Sequence, residues 1–187
     1  MLSFSHSAFA GDLEDGLAAY KKQDFSIALR LWTPLAEKGN ATAQSYLGMM
    51  YTKGNGVAQD YKTGVKWYSL AADQGEPAAQ YNLGQAYANG QGVAQDYKTA
   101  FKWFERVAEQ GLTSAQYNLG VMYAKGNGIT VDYFKAHVWF NIAAIIGKNK
   151  NAATNRDIVE KQMTPAQIAQ AQEAATRCIK QNFKNCD

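Results

Sequence analysis

Glycine recurs in this chain at a spacing of 36 residues, and that spacing constrains the fold more than any other feature. Gly39, Gly75, Gly111 and Gly147 form one series, and Gly48, Gly84 and Gly120 a second. Gly54, Gly90 and Gly126 form a third and Gly56, Gly92 and Gly128 a fourth, so thirteen of the sixteen glycines lie on one lattice. A unit this short cannot enclose a core alone. Stacking on its neighbours is what buries its apolar face.

Each period carries two helical patterns. "AAQYNLGQAY" (78–87) places Ala79, Leu83 and Tyr87 at i, i+4, i+8, and "YKTAFKWFERVAEQG" (97–111) places Ala100, Trp103, Phe104 and Val107 at i, i+3, i+4, i+7. No strand-like alternation competes with them. Gly75 and its equivalents follow the second helix, where a left-handed cap favours glycine. Gly84 lies inside the first helix at a cost of about 1 kcal/mol against alanine, which close approach of the partner helix would offset. The "GNGV", "GQGV" and "GNGI" turns follow helices and never complete G-x-G-x-x-G, so they read as connectors rather than phosphate cradles. Asp60, Asp96 and Asp132 stand where carboxylates cap the second helices. Trp67, Trp103 and Trp139 are expected in the core between neighbouring helices.

Composition narrows the partners. The net charge is only +3, with lysines scattered, so the basic footprint of a nucleic-acid binder is missing. No run reaches the ~20 apolar residues of a membrane helix. "MLSFSHSAFA" ends in Ala8-Phe9-Ala10, the small-x-small pattern of a signal-peptidase site, without the basic start and longer apolar core of a whole signal. A short tail of small residues is one reading. A residual export signal at 1–10, its start lying upstream, is the reading adopted. Cys178 and Cys186 are the only cysteines. They are either two free thiols or a disulfide clasp on the last helix, and the clasp fits an oxidising, exported setting. With His137 the only further soft ligand outside the leader, a zinc site is not expected.

"AQYNLGQAYANGQGVAQDYKTAFKWFERVAEQG" carries A-x-x-x-L-G-x-x-Y, G-x-G-V, D-x-x-K-A-x-x-W and A-x-x-G in order. The segment resembles a unit of the Sel-one-like repeat family, relatives of the tetratricopeptide repeat. The resemblance covers 40–147 as three units, 40–75, 76–111 and 112–147. Residues 11–39 are similar to an atypical tetratricopeptide-like first repeat, with its tryptophan (Trp32) shifted one place on. Residues 148–187 read as capping helices and a tail, with Thr164, Pro165 and Gln167 forming the start of the last helix. The fold expected is an all-α, α/α superhelical solenoid of antiparallel helix pairs with a C-terminal cap.

Lys62-Thr63-Gly64 matches the triplet of serine β-lactamases and penicillin-binding proteins, but no Ser-x-x-Lys accompanies it. His137 takes a slot held by Val65 and Phe101 in other units, and no acid is periodic with it. The expectation is a non-catalytic scaffold for protein interaction, periplasmic or secreted. It is expected to be monomeric, without cofactor, metal or nucleic acid. The alternative is an envelope hydrolase or binder acting on peptidoglycan-like or β-lactam ligands. Two positions from the core-facing Leu83 and Tyr87, about 200° round the helix, lie Tyr81, Gln85 and Asn89. Ser45, Met49 and Lys53 precede them by one period, and Tyr117, Val121 and Lys125 follow by one. The resemblance implies that first helices line a concave side, making these nine positions one groove for a protein or peptide partner.

Overall fold

The computed structural model describes residues 4–184 and Cys186. Among them are ten helices, and the chain divides into two compact units, Met1–Gln95 and Asp96–Asp187. The first holds α1 (Phe4–Lys21), α2 (Phe25–Glu37), α3 (Ala41–Lys53), α4 (Tyr61–Asp73) and α5 (Pro77–Asn89). The second holds α6 (Tyr97–Ala108), α7 (Thr113–Lys125), α8 (Tyr133–Gly147), α9 (Lys150–Glu160) and α10 (Pro165–Lys180). Each is all-α; the first packs its helices in chain order, α1 on α2, α2 on α3, α3 on α4 and α4 on α5, and the second does so from α6 to α9, with α10 returning to α8. None of the described helices is long and apolar enough to cross a membrane. Of the expected leader, residues 4–10 continue α1 without a break, while residues 1–3 lie outside the described residues.

Glycine inside the first helices does allow close approach. A Cβ built at Gly48 would lie 2.5 Å from Cδ1 of Tyr68, and one at Gly120 would lie 2.5 Å from Cδ1 of Phe140. The aromatic residue one place after Trp67 and after Trp139 therefore fills the seat. Trp32 belongs to this seat rather than to the tryptophan series. It lies 36 residues before Tyr68, is fully buried and presses on Gly16, and its Nε1 donates to the Leu13 carbonyl at 3.2 Å. The shift of one place noted in the sequence is thus a change of role. Tyr46 stacks on Trp32 with centroids 4.3 Å apart, at the centre of the first unit's core.

The tryptophan series itself is less buried than expected. Trp67 and Trp103 are half-buried and only Trp139 is enclosed, at 5% exposure. Adjacent residues on a helix point ~100° apart, and only on α8, which α9 and α10 also cover, are both members of the pair, Trp139 and Phe140, enclosed; on α6 the inward place goes to one of the two. Phe104 is the buried one, and Trp103 lies with the Arg106 guanidinium 5.8 Å from its ring.

Local capping follows the lattice. Asp60 accepts from the Lys62 and Thr63 amides at 2.9 and 3.2 Å, and the Thr63 hydroxyl donates to its other oxygen at 2.6 Å. Asp96 repeats the arrangement with Lys98 and Thr99. The Thr63 hydroxyl and amide, above all, hold the Asp60 carboxyl below its ordinary 3.8, and Thr99 does the same for Asp96. These carboxylates contribute stability that is present above pH 3.8 and lost as the pH falls through their lowered folded values. A carbon-detected NMR titration should place both midpoints below 3.8; midpoints at the ordinary value would show that the threonine hydrogen bonds are not held.

Gly39, Gly75 and Gly111 adopt φ of +92°, +90° and +89° after their helices. Gly147 departs from its series. It ends α8 as a helical residue, and Lys148 takes the left-handed cap at φ +48°.

A second polar device was not visible in the sequence. The side-chain amides of Gln44, Gln80 and Gln116 are buried and donate to the carbonyls of Ala36, Ala72 and Ala108 at 3.0, 3.0 and 3.2 Å. Each ties a first helix to the C-terminal turn of the helix before it, adding a second hydrogen bond to a carbonyl that already accepts from the amide of Gly39, Gly75 or Gly111.

The C-terminal helices close the second unit by packing on α8, from α9 and from α10. Thr164 and Gln167 form the capping box expected of them. Cys178 and Cys186 are bonded, with Cα atoms 4.9 Å apart, so the clasp is present. It holds the tail whose Phe183 ring lies beside Gly111. Removing it by Cys186→Ser should cost about 2–3 kcal/mol, the loop being short. Urea titration with and without reductant checks this, and an unchanged midpoint would mean that the bond constrains nothing.

Candidate functional site

The stripe positions fall into two groups, one on each unit. In the first unit Lys53 and Asn89 are exposed, and Met49, Tyr81 and Gln85 are half-buried, with the Gln85 side chain donating to the Tyr81 hydroxyl at 2.8 Å. Ser45 is buried at 5% exposure. Its short side chain does not reach the surface that tyrosine reaches at positions 81 and 117. In the second unit Lys125 is exposed and Tyr117 and Val121 are half-buried. The Tyr117 hydroxyl accepts from Asn155 of α9 at 3.1 Å, and its ring lies 5.8 Å from that of Phe140.

Two of these residues open onto a cavity. The C-terminal half of α7, the start of α8 and one face of α9 enclose about 320 Å³. Val121 and Ala124 line one wall, and the buried Phe140 and Val159 line its inner part. Lys125 and the exposed Ile158 stand at its mouth. The first unit has a counterpart between α3, α4 and α5, of only about 70 Å³, lined by Thr52, Tyr61, Tyr68, Asn82, Gln85 and Ala86. There the hydroxyls of Thr52 and Tyr68 lie 3.2 Å apart and hydrogen-bond, and burial pushes the Tyr68 hydroxyl up to about 12. Two periods on, Ala124 and Phe140 replace that pair and both hydroxyls are gone. The stripe residues Val121 and Lys125 were legible in the sequence. Asn155, Ile158 and Val159 were not, because α9 lies off the glycine lattice.

The residues weighed for chemistry have structural work. Lys62-Thr63-Gly64 is the first turn of α4, its amides and hydroxyl engaged by Asp60 and Gly64 pressed against α3. His137 has an acid partner that lies off the repeat period. Glu160 Oε1 of α9 lies 2.9 Å from its Nε2. A carboxylate only accepts, so Nε2–H donates. Arg156, also on α9, stands 3.7 Å from Glu160 and donates to Asn141 of α8 at 3.3 Å. The imidazole is fully enclosed, so no substrate reaches it from solvent. The group fastens α9 to α8. Among the described residues no cluster of three or more His, Cys, Asp or Glu side chains is arranged to hold a metal.

Repeated helix pairs, each latched to the one before by glutamine and seated by aromatic on glycine, define an all-α repeat solenoid. The chain belongs to the Sel1 repeat family, whose pattern matches residues 10–40, 41–76, 77–112 and 113–147. Among solved structures it is similar to a Sel1 repeat protein from Oxalobacter formigenes, at 30% identity and TM-score 0.73, over 88% of this chain and 70% of that one. It is also similar to c5321, a protective antigen present in uropathogenic Escherichia coli strains and displaying an SLR fold, at 30% identity and TM-score 0.66. That match covers 95% of this chain and 47% of the antigen, so the chain spans about half the antigen's length. Among curated proteins none matches. Sel1 repeat proteins typically serve as protein-interaction scaffolds and are generally non-catalytic.

Proposed function

We propose that this chain is an exported, monomeric, non-catalytic scaffold that holds a protein or peptide partner on the first helices of its repeats. The observation that carries the reading is the contrast between fixed and changing positions on α3, α5 and α7. Leu47, Leu83 and Leu119 repeat without change, as do Gly48, Gly84 and Gly120, and all are buried. The stripe changes from Ser45 to Tyr81 and Tyr117, from Met49 to Gln85 and Val121, and from Lys53 to Asn89 and Lys125. A face under packing constraint repeats, and a face shaped for one partner does not. Export is supported by the Cys178–Cys186 bond, which persists in oxidising compartments, and by the likeness to a bacterial protective antigen. In this reading residues 1–10 are a leader remnant, 11–39 the entry repeat, 40–147 the binding repeats and 148–187 the cap.

Tyr81→Ala with Tyr117→Ala is expected to weaken partner capture by about 2 kcal/mol, since interface tyrosines carry large contact area at low entropy cost. Quantitative pull-down beside helical circular dichroism decides it. Full capture with intact helicity would remove the tyrosines from the interface.

A further inference from the structure

The cavity of the second unit is the same repeat position as the small polar pocket of the first, made apolar and enlarged from about 70 to about 320 Å³. Four changes accomplish this. Thr52 becomes Ala124 and Tyr68 becomes Phe140, while α9 presents Ile158 and Val159 where α5 presents Gln85 and Ala86. The turn that follows also differs. Gln91 of the glycine turn after α5 closes the first pocket, and Gly92 beside it packs on the backbone of Tyr61. Gly128 packs on Tyr97 in the same manner, but no such glycine turn follows α9, and Tyr133 lines the open cavity. Apolar walls without a guest forfeit packing contacts and do not hold water well. The volume lies at the low end for ligand sites and suits one or two side chains.

Charge selects the occupant. Among the described residues Lys125 is the only charged one lining the cavity, it stands exposed at the mouth, and no described carboxylate pairs with it. Val121 and Lys125 also belong to the stripe assigned above to partner binding, so the cavity is continuous with that surface. We propose that the cavity receives one large apolar side chain of an acidic peptide segment, seated against Val121, Phe140 and Val159, with an adjacent carboxylate of the segment meeting Lys125. This rests on the protein-interaction reading and names the chemistry of the partner.

The test uses the full chain, isotope-labelled, titrated with acetyl-Gly-Asp-Phe-Asp-Gly-amide and followed by backbone amide shifts. Saturable shifts centred on Val121, Ala124 and Ile158 are expected. Exchanging Phe for Ala in the peptide, or Asp for Asn, should each raise Kd at least about threefold. Ala124→Thr with Phe140→Tyr restores the pair that the first unit already accommodates and should raise Kd about tenfold or more. Lys125→Gln, at an exposed position, should reproduce the loss seen with the Asn peptide. The proposal is overturned if no saturable shift occurs, if the shifts centre elsewhere, or if the Phe and Ala peptides bind alike. It is also overturned if the Asp and Asn peptides bind alike. These outcomes concern the cavity alone, since failure of the peptide leaves capture through the tyrosine stripes standing. Peptide binding without any cellular partner would sustain the cavity and sink the scaffold.

Discussion

Trp32→Ala is expected to destabilise the first unit by about 4 kcal/mol, within the range for removing a fully buried aromatic side chain. The residue has no exposed surface, stacks on Tyr46, lies 5.8 Å from the Tyr20 ring and donates to the Leu13 carbonyl. Its removal therefore empties the junction of α1, α2 and α3 and loses the hydrogen bond that ties α2 to the α1 backbone. Trp103→Ala serves as the comparison. That ring is half-buried on α6, so its loss should cost well under half as much. Urea unfolding of the two variants checks the ranking, and equal losses would mean that Trp32 does not hold the aromatic seat.

Gly120→Leu is the second large effect. A Cβ there already falls 2.5 Å from the Phe140 ring, so leucine must displace a ring that is 1% exposed. Evicting that ring costs about 3–5 kcal/mol, approaching the cost of deleting it. Leucine regains about 1 kcal/mol as a better helix former than glycine. A net loss of about 3 kcal/mol follows from the two terms. Gly84 was the glycine singled out in the sequence; it is buried too, and Gly48 and Gly120 show what such a position meets. Denaturation of Gly120→Leu decides the sign, and a raised midpoint would mean that the helix has room there.

These two positions show where sequence legibility ends. The glycine lattice and the aspartates locate helices and caps because both act on backbone geometry within a few residues. Asp60 and Asp96 cap as their positions imply, and Thr164 with Gln167 closes the predicted box. Periodicity does not resolve which of two neighbouring aromatics faces inward, and so Trp103 was expected inside together with Phe104, where only Phe104 is buried. The glutamine latches escaped notice because each bonds a carbonyl eight residues earlier, across a turn whose path no local pattern specifies. Half of the cavity escaped for a different reason. That side comes from α9, whose Asn149 start and Glu160 end fall outside the repeat, so no lattice position pointed to Ile158 or Val159. The acid beside His137 was hidden by the same helix.

Amine cross-linking in the native cell, read by mass spectrometry, tests the scaffold account most directly, because Lys53 and Lys125 are exposed ends of two proposed binding stripes. The account predicts one protein cross-linked through both, with few links to it from Lys62, Lys98 or Lys102 on the second helices. Links to that protein confined to the second-helix lysines, with Lys53 and Lys125 modified but unconnected, would contradict it.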